Sequence, residues 1–309
     1  MKLRRQNKFL FYLKGYSNFV LPRAKNYKEK ISALQAQLSK EQLRKVQERV
    51  DYYCKTNYEP GAENLRIKDL KKAKTPKSYY FDTYEYARYF NKNLSINFVF
   101  GDVTHVPKFP SIVKSRPVSG DNRKSVLLNL DKRRHFLFIN DPIDFLSKKD
   151  QLIGRSAVFQ HHRYAFYEKY FGHPLTDLGQ VNKIGGNLKW VKPGISLEKH
   201  LEYKFILSLQ GNDVATNLKW IMSSNSIAVM PKPTMETWFM EGKLVGGKHF
   251  IEINSDYSDL EEKLNHYISN PEKCLEIIKN ANAYCQQFYD KNVEDLCALM
   301  VLKKYFQLN

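Results

Sequence analysis

The chain has 309 residues, 42% of them hydrophobic, and a formal net charge of +18 from 50 Lys and Arg against 32 Asp and Glu. That length accommodates one large or two medium globular domains, and no apolar run reaches the roughly 20 residues needed to cross a bilayer as a helix. The charge suits nucleic acid, an anionic membrane face or a phosphorylated substrate equally well. The four cysteines lie far apart, without a C-x-x-C pair or histidines at zinc spacing, so neither a disulfide framework nor a metal site is suggested and a reducing cytoplasm is expected.

The first 30 residues hold Lys2, Arg4, Arg5, Lys8, Lys14, Arg23, Lys25, Lys28 and Lys30 against the single acid Glu29, interleaved with Phe9, Phe11, Tyr12 and Phe19. Two readings stand side by side: a segment lying on an anionic leaflet, or a solvated basic arm packing a few aromatics onto the domain. Lys14 interrupts the apolar core at Phe9 to Leu13, so no cleavable signal peptide is expected. Over residues 26–56 the spacing turns helical. Ile31, Leu34 and Leu38 form one stripe, and Ser39 with Gln42 forms a capping box before Leu43, Val46, Val50 and Tyr53. Residues 58–78 read as a polar connection, which sets a first division at 1–78.

A helix is predicted over 82–93, with Tyr79, Tyr80, Tyr84, Tyr86 and Tyr89 clustered on or before it. Residues 95–100 alternate Ile96, Phe98 and Phe100 as a strand that ends in Gly101-Asp102. An acid just past a strand's carboxyl end stands where α/β enzymes place chemistry, and equally where a turn is capped. Lys114, Arg116, Arg123, Lys124 and the run Lys132-Arg133-Arg134-His135 follow, around predicted strands at 126–130 and 136–139. Residues 144–150 form the expected crossover between two halves, 79–150 and 151–309.

After Leu152-Ile153-Gly154-Arg155-Ser156 comes Arg163, and each guanidinium has the planar fork that binds two oxygens of a phosphate. His161-His162 beside them is read as a phosphate or solvent neighbour, not a metal site. Residues 172–196 are glycine-rich and loop-like. Residues 200–254 then read as strand (205–209), sharp turn at Gln210, Gly211, Asn212 and Asp213, helix to about Ser224, strand (226–230) and a last strand at 249–254. Lys204 sits on the first strand, and Asn217 and Lys219 on the helix. Ligands of open α/β sheets settle beyond the strands' carboxyl ends, and a nucleotide diphosphate is the candidate here. Glu236, before the glycine-rich turn at 242–247, is placed as an acceptor of a sugar or ribose hydroxyl. From Ser258 onward the chain is helical, with a break at Asn270-Pro271.

Tyr203-Lys204-Phe205, Gly211, Lys219, Ser226 and His249-Phe250, with the phrasing GNDVATNLKWIMSSNS and PKPTMETWFMEG, resemble the signature of glycosyltransferase family 90, and its bacterial lipopolysaccharide-core branch in particular. The resemblance spans roughly residues 95–305. It implies a GT-B-like α/β fold: two Rossmann-like domains facing a cleft, with an N-terminal helical extension and a C-terminal helix crossing back. The segment INFVFGDVTHVPKFPSIVKSRPV is similar to the family's strand-Asp-x-x-x-Val-Pro motif, which makes Asp102 the general base. Arg155 and Arg163 keep the family's arginine spacing, although Gly154 precedes Arg155 instead of following it. Many relatives carry Arg where Asn217 stands.

Glycosyl transfer needs a base for the acceptor hydroxyl and a stabiliser for the leaving diphosphate. The chain has no Asp-x-Asp, the motif by which one fold class holds a metal for the second task. Arg155, Arg163, Lys204 and the Gly211-Asn212 turn are therefore expected to act without a metal or other cofactor. A single base opposite the leaving group implies inversion. The branch implies a hexose, glucose or galactose, moved from a UDP-sugar to a heptose of the lipopolysaccharide inner core, by a cytoplasmic protein peripheral to the inner membrane face. The alternatives are the same chemistry on a capsule sugar or a protein serine, or a non-enzymatic basic protein that binds nucleic acid or membrane. No recognisable nucleic-acid module supports nucleic acid as a partner.

Overall fold

The computed structural model describes residues 7–21, 25–56, 65–72, 74 and 77–309. Lys2, Arg4, Arg5 and Arg23 of the basic arm, and part of the 58–78 connection, lie outside them. The described chain is α/β and divides into two compact units. One comprises residues 137–233 and 243–286; the other takes the described residues up to Phe136 together with 234–242 and 287–309. The divisions expected after residues 78 and 150 do not coincide with these units, because the chain returns twice to the first.

The N-terminal unit opens with α1 (Lys8–Val20), α2 (Tyr27–Gln35) and α3 (Lys40–Tyr53). Asn26 with Glu29 and Ser39 with Gln42 form reciprocal capping boxes that start α2 and α3, satisfying N–H groups that would otherwise go unpaired. α3 buries Val46, Val50 and Tyr53, one helical face as the spacing predicts. α4 (Lys77–Ala87) starts and ends earlier than expected. Strands β1 (Phe98–Val99), β2 (Ser111–Val113) and β4 (Ser125–Leu127) form a parallel three-stranded sheet, while β3 (Ser115–Pro117) lies outside it. After the short α5 (Lys132–His135), residues 136–139 form no strand; Phe136 instead packs its ring against Phe239 and Phe288.

The other unit is built on β5 (Lys149–Ser156), α6 (His161–Tyr170), β6 (Thr176–Gln180), α7 (Leu197–His200), β7 (Tyr203–Leu207), α8 (Leu218–Met222) and β8 (Ile227–Met230). β9 (Met235–Thr237) returns to the N-terminal unit and pairs antiparallel with β3. β10 (Ile251–Glu252), α9 (Leu260–Ile268) and α10 (Pro271–Gln286) complete the second unit. Its sheet is wholly parallel, in the order β10-β8-β7-β5-β6. Leu152, Phe205, Val229 and Ile251 are fully buried in it. Helices cover such sheets on both faces, which is why β7 reads as an apolar run from Phe205 to Leu207. Each such side chain contributes about 1.5–3 kcal/mol.

The final helix, α11 (Lys291–Tyr305), belongs to the N-terminal unit. Glu294 pairs with Arg49 of α3 at 2.6 Å, and the Arg49 guanidinium lies over the rings of Tyr53, Trp238 and Phe288. The Tyr305 hydroxyl accepts from Asn97 N at 2.8 Å and donates to Pro110 O at 3.1 Å, tying α11 to the edges of β1 and β2.

Candidate active site

In the five-stranded sheet the chain leaves β5 for β6 on one side and then takes up β7 on the other. Loops leaving β5 and β7 therefore diverge, and the crevice between them at the carboxyl ends is the topological switch point where α/β sheets bind ligands. A cavity of about 270 Å³ lies there, lined by Gly154, Arg155 and Ser156 at the end of β5, by Arg163 of α6, and by Thr216 and Asn217 after β7.

Arg163 holds this crevice together. Its Nε donates to Gln210 O at 2.8 Å, one terminal nitrogen to Ala157 O at 2.9 Å and the other to Leu209 O at 2.9 Å, so it joins the loop after β5 to the loop after β7. Three of the five guanidinium N–H donors are thereby committed, leaving two. Among the described residues Arg163 has no carboxylate partner, and burial lowers its affinity for its proton, partly offset by the Tyr167 and Tyr257 phenols. His162 Nε2 also meets Gln210 O, at 2.8 Å.

The remaining loop residues brace the same crevice. Asn212 Oδ1 accepts from Gln160 at 3.0 Å, and Asn217 Nδ2 donates to Leu207 O at 2.9 Å. A Cβ at Gly211 would lie 3.6 Å from an Arg163 terminal nitrogen. Arg155 is held differently: it donates to Asp177 O at 2.7 Å and Asp177 Oδ1 at 2.9 Å, and its Nε is buried without a hydrogen-bond partner. Burial raises the Asp177 carboxyl, but hydrogen bonds from Lys192, Arg155 and Tyr203 outweigh it and hold the group below its ordinary range.

Two expected donor residues of this unit, Lys204 and Lys219, do not line its crevice, and Glu236 belongs to the other unit. Lys204 stands at the start of β7, not its end; its ammonium meets Asp150 at 2.6 Å beside the start of the parallel neighbour β5, whereas Arg155 is near that strand's end. Lys219 is fully buried on α8, where its charge acts on the Cys285 thiol of α10, a group that burial drives upward. Glu236 belongs to the N-terminal unit, buried on β9 with Arg116 Nε at 2.8 Å and accepting a short hydrogen bond from Tyr52 OH. It closes an ion pair within that unit.

The helix expected from the Gly211-Asn212 turn onward begins only at Leu218. Gln210 donates to Asp213 O at 2.7 Å, and the Asp213 carboxylate accepts from Val214 N at 2.7 Å. Such local side-chain bonds compete with helix formation, so residues 208–217 form a loop and no helix N-terminus stands at Gly211. Asp213 accordingly does not cap α8, whose N-cap position is Asn217.

Asp102 lies in the N-terminal unit, three residues past β1 in sequence, after Gly101 at φ +119°. That backbone conformation is open to glycine and costly for other residues. The Asp102 side chain is about one-third exposed and pairs at 2.5 Å with Lys114, whose ammonium is buried just after β2.

A family model for glycosyl transferase family 90 matches residues 182–309. The chain is also 45% identical over 233 residues, 75% of its own length and 73% of the relative's, to the O-glucosyltransferase LpsA of Dichelobacter nodosus. The chain belongs to glycosyltransferase family 90.

As a family 90 member it is a glycosyltransferase. Several of its crevice residues were not singled out from the sequence. Asp177 sits on β6, a strand hidden in what reads as a glycine-rich loop, because Thr176-Asp177-Leu178-Gly179-Gln180 shows no strong alternation. Gln160 and Ser156 carry no distinguishing motif, although their nearness to Arg155 and Arg163 was the available signal.

Proposed function

We propose that this glycosyltransferase moves a hexose, glucose first and galactose as the other choice, from a uridine diphosphate donor to a heptose of the lipopolysaccharide inner core. The glucosyl preference is drawn from the activity named for the Dichelobacter nodosus relative. In the GT-B arrangement that the family resemblance implies, the unit with the five-stranded sheet takes the donor and the unit with Asp102 takes the acceptor. The protein then works at the inner face of the cytoplasmic membrane, where its acceptor is assembled.

The observation that carries the donor half is Arg163: a partly buried guanidinium with no carboxylate partner among the described residues, lining a crevice at the switch point of a parallel sheet. A leaving diphosphate gains negative charge as the glycosidic bond breaks, and a desolvated cation fixed beforehand stabilises that charge without reorganising. Arg155, turned partly toward Asp177, supplies a second guanidinium at the same mouth. On the acceptor side the Asp102 carboxylate takes the proton of the attacking hydroxyl. The hydroxyl oxygen bonds to the anomeric carbon, the bond to the diphosphate breaks with its electron pair, and the configuration inverts. Cationic side chains take the place that a metal fills elsewhere.

Transfer from radiolabelled UDP-glucose and UDP-galactose to isolated core acceptor, with and without chelator, tests this. Asp102→Asn is expected to lower turnover by about 10²–10⁴ while UDP binding persists. Full activity in that variant removes Asp102 as the base, and a strict divalent-metal requirement removes the metal-free route.

A further inference from the structure

We infer that α1 and the basic cavity beside it form a docking surface for an anionic phospholipid leaflet. Phe9, Leu13 and Val20 recur at helical spacing and share one face of α1, while Tyr16 beside them rests its ring against Phe81. That face is turned to solvent, with Phe9 71% and Val20 82% exposed, while Phe11 and Gly15 on the opposite face are buried against Phe81. An apolar stripe pointing outward on a helix already anchored by its other face marks an interaction site.

A second observation identifies the occupant. Val20 and Leu21, where the stripe ends, form part of the wall of a cavity of about 770 Å³ that also carries Lys28, Lys71, Arg88 and Lys92. No carboxylate is among the described residues lining it. Lys71 rests over the Tyr84 ring, and Arg88 donates to Leu21 O and to Asn18 Oδ1. Apolar side chains leading into a cluster of cations match the two parts of an anionic lipid, acyl boundary and phosphate headgroup. A second copy of a chain with net charge +18 is repelled from the same place.

This surface gives a location to the membrane association proposed above, and it is tested with no donor or acceptor present, so its outcome is separate from that of the transfer assay. The full chain is sedimented with vesicles of phosphatidylcholine alone or mixed equally with phosphatidylglycerol. Binding is expected to the mixed vesicles only, to fall with added salt, and to weaken by about tenfold or more in both Leu13→Ser/Val20→Ser and Lys71→Glu/Lys92→Glu. These substitutions fall on exposed positions, and an unchanged thermal melt verifies the fold. Equal binding to neutral vesicles overturns the inference. So does a charge-reversed variant that loses binding while the stripe variant keeps it, which marks a soluble-anion site. A parent dimer that Leu13→Ser/Val20→Ser converts to monomer overturns it as well.

Discussion

Arg163 and Lys204 are two cations of similar promise in sequence and opposite circumstances in the fold. Lys204 is matched by Asp150 at the amino end of its strand, whereas Arg163 gives its hydrogen bonds to three carbonyls and lines the crevice. Arg163→Met should therefore lower kcat/KM for the nucleotide sugar by about 10²-fold or more, and Lys204→Met should leave the donor KM unchanged; steady-state kinetics with varied UDP-sugar reads both. Asp82, on α4, shows the same dependence on surroundings. Burial lifts its carboxyl from near 3.8 to about 7, because Lys132 lies against Glu85 and only at 3.6 Å from Asp82. A carboxyl whose folded pKa is raised keeps a proton that the unfolded chain releases, so its contribution is full below the unfolded value and is lost as pH rises through about 7. Urea unfolding from about pH 4 to about pH 8 should show that decline in the parent and a flatter curve in Asp82→Asn.

At the scale of elements, α1 is held by one close approach. A Cβ on Gly15 would lie 2.5 Å from the Phe81 ring, nearer than van der Waals contact allows, so only glycine lets the helix reach α4. Gly15→Leu should cost about 1–3 kcal/mol and expose the connection after α1 to limited proteolysis. An unaltered digestion pattern and melting temperature would contradict this packing. The loop after β7 illustrates the converse: residues 208–217 keep an irregular path because Asp213 and Gln210 satisfy neighbouring backbone groups, and that path is what brings Asn217 and the Gly211 turn to Arg163. A longer helix there would have consumed those positions.

For the whole molecule, the return of α11 to the N-terminal unit is the decisive long-range contact. Leu296, Leu299, Val301, Leu302 and Tyr305 are fully buried in it. At about 1.5–3 kcal/mol each, they rival the entire stability of an ordinary domain, about 5–15 kcal/mol. Deleting residues 291–309 should abolish cooperative unfolding of that unit, seen as lost amide-exchange protection in α2 and α3 with protection retained in β5 and β7. Uniform loss, or none, would contradict the division into units.

The family, the capping box of α3, the core strands β7 and β8, and the likeness of Asp102, Arg155 and Arg163 to family positions were all legible in the amino acids alone. Each depends on residue type and short-range spacing, which a linear string preserves. Which charge meets which was not legible. Lys204 with Asp150, Arg155 with Asp177 and Arg116 with Glu236 are pairings between segments 22 to 120 residues apart, set by strand register and by the path of the chain between units. The sequence on its own determined the chemistry on offer. Only the tertiary structure decided that Arg163 stands at the crevice with hydrogen-bond donors to spare while Lys204 is paired with Asp150 and Glu236 with Arg116, because only the folded chain determines which opposite charge is near.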